Sequence, residues 1–267
     1  MSEYNFNAKK EIENILDHMK NYFEECHLPK KCIVGISGGK DSYVVAALAV
    51  KLFGKENVIG IQLPNGVQAD ISDSDKIIEN LGIAKKKVNI SKAYKGLCKE
   101  IKKAAKTDAN ENYLFKTNTP SRIRMTTLYG LAALENAVVL NTDNLSEGLT
   151  GYSTLYGDLA GSYSPIKNYT VTEVRAIGDE LGLLKEFVHK APSDGMCGST
   201  DEQSIARQTG VKDFTYEKLD ILCRTGVSPF SEEDTEKLRE RYRKNKFKFE
   251  LINIPGFEPN LPNFIEY

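Results

Sequence analysis

The sequence predicts an α/β fold: a doubly wound parallel sheet with helices on both faces. Three observations favour this fold. Short apolar runs have the length and composition of buried strands. Segments with apolar side chains at helical spacing separate these runs, and a Ser/Gly-rich turn follows the first of them. Strands that alternate with such helices form βαβ units, which place a parallel sheet between two layers of helices.

The first half of the chain supplies four predicted strands and the helices around them. An apolar stripe over residues 8–24 predicts the first helix, and Pro29 closes it. Thr119 and Pro120 supply a cap and a first-turn proline for the last helix of this half. The predicted strands are 31–36, 57–63, 87–90 and 137–141, and the helices between them are 42–53, 71–81, 92–106 and 119–136.

The second half is less regular. Thr170 and Glu173 form a capping-box pattern that predicts a helix ending near Gly182. Residues 190–213 are rich in Gly, Ser, Thr, Asp and Pro, which is typical of a functional loop or a linker. A further helix is predicted at 215–225.

The C-terminal part predicts a basic helix followed by an extended tail. The helix begins at Ser231, and the tail over residues 252–267 contains three prolines, so we expect it to lie over the surface or over a partner subunit. We expect one domain over residues 1–267, with a core over about 30–225 and a C-terminal segment over about 226–267.

Composition limits the function classes without naming one. The 267 residues include 36 Lys and Arg against 37 Asp and Glu, a balance that argues against a dedicated DNA-coating protein. An apolar fraction of 40% supports a packed core, and no run approaches the length of a membrane helix. The five cysteines include no CxxC pair, which favours reduced thiols. We therefore expect a cytoplasmic protein that binds neither nucleic acid nor membrane.

The most informative segment lies between the first strand and the following helix. It consists of Gly35, Ile36, Ser37, Gly38, Gly39, Lys40, Asp41 and Ser42. Consecutive glycines let the backbone approach a ligand closely, and the helix that follows offers unpaired N–H groups and the positive end of its dipole. The segment lacks both the Walker pattern and the dinucleotide GxGxxG pattern. It therefore predicts a phosphate-binding turn of a different class.

This SGGKDS string after an apolar strand resembles the pyrophosphate-binding loop of the N-type ATP pyrophosphatases, which have a Rossmann-like fold. Later segments resemble the NAD synthetase family within that superfamily. They are 63–68 (LPNGVQ), 121–125 (SRIRM), 141–147 with 149–152 (NTDNLSE and LTGY), 156–158 (YGD), 164–166 (SPI), 192–196 with 200–203 (PSDGM and TDEQ), and 216–220 (YEKLD). Together these segments and the loop cover about residues 30–225.

The resemblance implies a ligase that amidates deamido-NAD with ammonia. ATP adenylates the nicotinate carboxylate and releases pyrophosphate, and ammonia then displaces AMP. Such an enzyme neutralises phosphates, aligns two anions and excludes water, and it needs no protein nucleophile. Because only about 30 residues precede the first predicted strand, we expect free ammonia, or ammonia from a separate protein, as the donor. The resemblance also implies a homodimer, and an apolar stripe over 119–136 fits an interface or a buried core helix equally well.

The resemblance also implies roles for individual residues. ATP would be bound by the Gly35–Ser42 loop together with Gln68, Thr142 and Ser193. Mg²⁺ would be held by Asp41 and Glu147, which suits a cation that takes a few carboxylates together with phosphate and water. Deamido-NAD would contact Arg122, Arg124, Asp158, Asn245 and Lys246, and Asp41 and Asp158 would be the catalytic residues, Asp158 by positioning or deprotonating ammonium.

The sequence departs from the family pattern at three polar positions. Leu155, Ser162 and Val171 stand where the family usually has Lys, Asp and Lys. Lys167, four residues before Val171, is a candidate substitute, and Asn245 stands in place of a usual histidine. A leucine cannot supply a lysine's charge or its donors. Two alternatives therefore stay open: a related ligase that adenylates another acid, and a non-catalytic nucleotide-binding protein.

Overall fold

Four parallel strands form the centre of this computed structural model, which describes residues 4–67, 71–107, 111–191 and 200–265. Within these ranges the strands are β1 (Cys32–Gly35), β2 (Val58–Gln62), β3 (Ala84–Lys87) and β4 (Val138–Val139), in the order β3-β2-β1-β4. In β1, Cys32 is paired with Val58 of β2 and with Val138 of β4. The predicted parallel α/β fold is therefore confirmed.

Helices surround this sheet in both halves of the chain. They are α1 (Ala8–Glu25), α2 (Lys40–Phe53), α3 (Ile71–Leu81), α4 (Ser91–Ala105), α5 (Tyr113–Glu135), α6 (Leu145–Thr150), α7 (Val171–Glu180), α8 (Lys185–Val188), α9 (Asp201–Thr209), α10 (Tyr216–Thr225), α11 (Glu232–Asn245) and α12 (Phe247–Leu251). None of the helices in the described ranges is long and apolar enough to cross a membrane.

Alternate residues of β1 point into two apolar clusters, one on each face of the sheet. Cys32 and Val34 belong to a cluster with Met19 of α1 and with residues of α2, α3 and α7. Ile33 belongs to the opposite cluster, together with Ala132 of α5. Successive side chains of a strand point to opposite faces, so burial of both sets requires helices on both sides. This arrangement is the doubly wound layering that the sequence predicts.

The third strand lies earlier than the predicted 87–90. β3 spans Ala84–Lys87 and is an edge strand, paired only with β2. An edge strand tolerates lysines, which the apolar pattern of a buried strand does not anticipate. Val88 and Ile90 continue the backbone pairing, with their N–H groups donating to Gln62 and Pro64 carbonyls. The apolar residues Val88 and Ile90 therefore lie just after β3, not within it.

Helix α5 begins at Tyr113, six residues before the predicted start at Thr119. The side chain of Asn112 caps it by accepting from the N–H of Phe115 at 2.9 Å. Pro120 lies inside the helix, not in its first turn. A proline inside a helix removes one N–H donor, so a sequence pattern assigns it to a helix start. Here both Thr119 and Pro120 are buried, and the surrounding structure retains the helix.

The region 190–213 is not only a loop, because it contains α9. Thr200 and Gln203 form a reciprocal capping box at the start of this helix. The helix contributes Ile205 to a further apolar cluster, distinct from the two at the sheet, which α10 and α11 share through Leu222 and Leu238. All its buried members lie in the second half of the chain, and it is called the second apolar cluster below. This cluster supports the far side of the cavity described below.

The tail after α12 has neither helix nor strand over residues 252–265, and it packs against its own chain. Its Pro255 carbonyl accepts from the N–H of Ser164, and the N–H of Phe264 donates to the carbonyl of Cys223. Ile265 is buried in the second apolar cluster. The expected extended course is therefore observed over the surface of the same chain.

Candidate active site

A cavity of about 610 Å³ opens at the carboxyl edge of the sheet. Its walls include residues at the carboxyl ends of three strands. They are Gly35 and Ile36 at the end of β1, Leu63 after β2, and Asn141 and Thr142 after β4. Ligands of parallel α/β sheets bind at this edge, where the strand ends and the following loops converge. The cavity therefore occupies the position that the fold favours for a nucleotide.

The loop after β1 has the geometry of an anion-binding turn. Gly38 has a φ of +94°, a conformation that glycine adopts without strain. Ser42 Oγ accepts from the N–H of Ser37 at 3.3 Å and donates to the carbonyl of Gly39 at 3.1 Å, which closes the turn. Gly39 supplies no side-chain cap to α2, and the residues of the first turn of this helix line the cavity. The first N–H groups of a helix have no partner within the helix. A phosphate group fits such donors.

Asp41 and Glu147 come from different elements and converge on this loop. The Oδ1 atom of Asp41 accepts from Asn144 Nδ2 at 3.0 Å, and its Oδ2 accepts from Lys40 Nζ at 2.7 Å. Asn144 also caps α6, where Glu147 completes a reciprocal capping box. One asparagine thus fixes both carboxylates.

The electrostatics of this corner favour a bound cation. Burial raises the pKa of the Glu147 carboxyl well above its ordinary range, and Asp41 and Asp143 raise it further. Asp143 is only 9% exposed and its Oδ2 atom has no hydrogen-bond partner. Buried carboxylates with an unused oxygen are stabilised by a divalent ion, and the two-carboxylate set fits Mg²⁺ with phosphate and water as its other ligands.

A second acidic group of the cavity lies at Asp158, which is more exposed than Asp41 and Glu147. Its carboxylate accepts from Ser121 Oγ and from the N–H of Thr154, the latter at 3.0 Å. Asp158 also contributes to raising the pKa of Asp143, after the larger effect of burial. The two carboxylates therefore face a common space in which a small cation would be favoured.

Of the two arginines in the 121–125 segment, only Arg124 lines the cavity. Its Nε donates to the carbonyl of Leu63 at 2.9 Å, and burial lowers its pKa. Arg122 is exposed, and its Nε donates to the carbonyl of Leu155 at 3.1 Å. Thr142 lines the cavity as expected. Gln68 and Ser193 lie outside the described residues.

The C-terminal helices bring an unexpected set of side chains to the cavity. Asn245 lines it, but Lys246 does not: the Lys246 side chain is 52% exposed and pairs with Glu250 at 3.3 Å. Lys248 takes the inward position, and its Nζ donates to the carbonyls of Gly151 and Ser153, each at 2.9 Å. Arg241 lines the cavity too. The sequence carries the signal for this set, since 241, 245 and 248 share one helical face.

The three positions that depart from the family pattern do not line the cavity. Leu155 makes a backbone bridge with Leu159, and the N–H of Ser162 donates to Val139 at 2.8 Å. Val171 is fully buried in the second apolar cluster. Lys167, the candidate substitute, does not line the cavity, and its Nζ donates to the carbonyl of Ile254 at 2.7 Å.

Comparison with known proteins agrees with this site. The family model described as NAD synthase matches residues 11–252. The chain belongs to the NAD synthase family. Its relatives include the NH(3)-dependent NAD(+) synthetase of Thermococcus sibiricus, 39% identical over 80% of this chain and 79% of that protein. The corresponding protein of Pyrococcus horikoshii is 35% identical over 85% of this chain and 88% of its own length.

Solved structures of the family show the same architecture. The NMN synthetase of Francisella tularensis aligns with a TM-score of 0.78 and 28% identity, covering 96% of this chain and 100% of that one. The NH3-dependent NAD synthetase of Campylobacter jejuni, solved with a nitrate ion, aligns with a TM-score of 0.67 and 28% identity over 91% of this chain and 96% of its own. The family assignment therefore rests on sequence and structure together.

Proposed function

We propose that this protein is an ammonia-dependent NAD synthetase, which converts deamido-NAD, ATP and ammonia into NAD, AMP and pyrophosphate. The observation that carries this proposal is the cavity in which the Gly35–Ser42 loop, including the carboxylate of Asp41, lies together with Glu147. A loop for pyrophosphate beside two carboxylates suits cleavage of ATP between its α and β phosphates. The choice of deamido-NAD as the acid substrate rests on the family to which the chain belongs.

The first step joins the two substrates. An oxygen of the nicotinate carboxylate attacks the α-phosphorus of ATP, the bond to the β-phosphate oxygen breaks, and pyrophosphate leaves. The N–H groups at the start of α2 would hold the departing pyrophosphate, and Asp41 and Glu147 would hold Mg²⁺. When bound, the Mg²⁺ ion neutralises the charge on the phosphate oxygens.

The second step consumes ammonia. Ammonium first loses one proton to give ammonia, and the ammonia nitrogen then attacks the carbonyl carbon of the mixed anhydride. The bond to the AMP oxygen breaks, and a second proton leaves the nitrogen for solvent. Asp158, hydrogen-bonded to Ser121 and Thr154, would hold the ammonium and take its first proton. Asp143 contributes its unpartnered Oδ2 to the same cation. Thr142 and Arg124 line the same cavity, in which both steps would take place.

We assign the anionic dinucleotide to the basic side chains of the cavity. Arg124, Arg241 and Lys248 line it, and Asn245 adds an amide. Lys248 supplies a positive charge to the cavity, to which Leu155, at the position of a usual family lysine, contributes no side chain. Gln68, Ser193, Arg122 and Lys246 remain expectations from the resemblance.

We also propose a cytoplasmic homodimer whose interface includes α5. This helix exposes Leu114, Tyr129 and Leu134 to solvent, with exposed fractions of 64%, 38% and 85%. Apolar side chains on one exposed helix favour burial against a second copy. Light scattering on a Leu134→Asp variant tests this interface: we expect a monomer where the wild type is a dimer.

Pyrophosphate release is the test of the proposed reaction. We expect release from ATP and Mg²⁺ only when deamido-NAD is present, with NAD formed when ammonium is added. Nicotinate mononucleotide serves as the comparison acid, because one structural relative is an NMN synthetase. Faster turnover with the mononucleotide would overturn the choice of substrate, and ATP binding without pyrophosphate release would overturn the reaction.

A further inference from the structure

Lys40 is a buried ammonium group inside the phosphate loop. The residue is only 3% exposed, and its Nζ donates to Asp41 Oδ2 at 2.7 Å. A buried ammonium of this kind needs an anionic partner at all times.

The partners of Lys40 are the residues proposed to hold Mg²⁺. Asp41 is in direct contact with the ammonium, and Asn144 links Asp41 to the helix turn that carries Glu147. Asp143 lines the same cavity. A divalent ion bound by Asp41 would compete with the ammonium for the same oxygen atoms, since like charges repel at such short range.

Within the described Gly35–Ser42 loop, Lys40 is the one residue with a positively charged side chain. Val171, at the position where the family usually has a phosphate-binding lysine, is fully buried among apolar side chains. Lys167 is engaged with the tail. Lys190 lines the cavity, and its ammonium group is paired with the carboxylate of Asp73 at 2.7 Å. Lys40 lines the cavity beside Ser37 and Gly39, where the ATP phosphates would lie.

We propose that Lys40 is an exchangeable counter-ion of the site: it neutralises Asp41 and Glu147 before the metal ion binds, and then turns to the ATP phosphates. The inference rests on the proposed function, because it assumes that ATP and a divalent ion meet at this loop. It assigns Lys40 two opposite effects. The side chain weakens binding of the metal alone and strengthens binding of ATP.

A Lys40→Met variant separates these effects. Methionine is neutral and of similar length, and it suits a buried position. With Mn²⁺ as the probe and no nucleotide, titration followed by electron paramagnetic resonance should give about tenfold tighter binding in the variant than in the wild type. With ATP in EDTA, calorimetry should give about tenfold weaker binding. Addition of MgCl₂ should raise the melting temperature of the variant more than that of the wild type.

Lys51→Met is the matched control, since Lys51 lies near the other end of α2 and is exposed. It removes the same charge from the same helix and should change neither binding constant. Lys40→Gln repeats the test with a polar side chain if the methionine variant does not fold. Unchanged or weaker Mn²⁺ binding, or unchanged ATP binding in EDTA, would overturn the role of Lys40.

The binding measurements are independent of NAD formation. If the wild type forms no NAD but the Lys40 variants show tighter Mn²⁺ and weaker ATP binding, the proposed reaction fails and the counter-ion role stands. If the wild type forms NAD and the variants bind both ligands as it does, the counter-ion role fails alone.

Discussion

At the scale of single residues, Asp41 connects the phosphate loop to the rest of the site. It accepts from Lys40 and from Asn144, and the same asparagine caps the helix that carries Glu147. The string of glycines, serine and aspartate marks Asp41 as a candidate, but its contact with Asn144, 103 residues away, is not visible in that string. Thr142 and Glu147 are expectations from the resemblance to the family, because neither is distinctive in its local sequence.

Asp41→Asn should lower pyrophosphate release by about 100-fold or more, because an amide keeps the size of the side chain and loses the charge that a metal ion needs. The circular dichroism spectrum should be unchanged. Asp17→Asn, at an exposed position of α1, should retain wild-type turnover. Full activity in the Asp41 variant would remove the metal-ligand assignment.

Val171→Lys tests why the family's usual lysine is absent here. Val171 is fully buried in an apolar cluster, so a lysine there would be an uncompensated buried charge. We expect a loss of about 3–5 kcal/mol in the free energy of unfolding, measured in urea. Glu180→Lys, at the exposed end of the same helix, should cost far less. A stable Val171→Lys protein with tighter ATP binding would contradict the packing described for α7.

At the scale of elements, α6 is held in place by α10 and α7. Ser146 Oγ donates to Asp220 Oδ1 at 2.6 Å and accepts from the N–H of Val171 at 3.0 Å. The N–H of Thr172 donates to the other Asp220 oxygen at 2.9 Å. This buried link fixes the helix next to Glu147. Sequence spacing did not reveal it, because its members are 74 residues apart.

Stability should depend on pH through Asp220. Burial raises its pKa to about 6, although the hydrogen bonds from Ser146 and Thr172 lower it. A carboxyl whose pKa is raised on folding binds protons more tightly in the folded state, so its contribution is complete below its unfolded pKa and is lost as pH rises through about 6. Relative to Asp220→Asn, the wild type should gain about 2.5 kcal/mol between pH 7 and pH 4.

The measurement is urea unfolding of both proteins at several pH values, with Asp17→Asn as the control for general acid effects. That control should follow the wild type at every pH. A constant difference between the wild type and Asp220→Asn over this range would show that Asp220 does not titrate as its burial implies.

Errors in the predicted elements have a common cause. The pattern at Thr119–Pro120 has the form of a helix start, and the lysines of β3 do not have the form of a buried strand. In both cases tertiary contacts decided against the local preference. The Lys246 expectation rests on the resemblance, whereas the helical spacing of 241, 245 and 248 indicates Lys248, whose Nζ donates to the carbonyl of Gly151.

At the scale of the whole molecule, Arg224 joins four parts of the chain. Its guanidinium donates to Glu173 of α7, to the carbonyl of Asn168, and to the carbonyl of Pro262 in the tail. Tyr4, near the N-terminus, donates to the same glutamate. Arg224 and Glu173 have side chains that are 3% and 2% exposed. This ion pair holds the tail against the core, a contact that no local sequence pattern predicts.

Arg224→Ala should lower the free energy of unfolding by about 3–5 kcal/mol, because it leaves the buried Glu173 carboxylate without its partner. Urea titration measures this loss. Arg243→Ala is the matched control: its pair with Glu236 has both side chains more than half exposed, and its loss should cost about 0–1 kcal/mol. Equal effects of the two substitutions would contradict the anchoring role.

The most direct test of the whole account follows the oxygen atoms of the substrate. The wild-type protein would be incubated with ATP, Mg²⁺, ammonium and deamido-NAD labelled with ¹⁸O in the nicotinate carboxylate. If this site adenylates that carboxylate, the AMP produced carries one ¹⁸O atom for each NAD formed, and the pyrophosphate carries none. Unlabelled AMP, or NAD formed without AMP, would contradict the account.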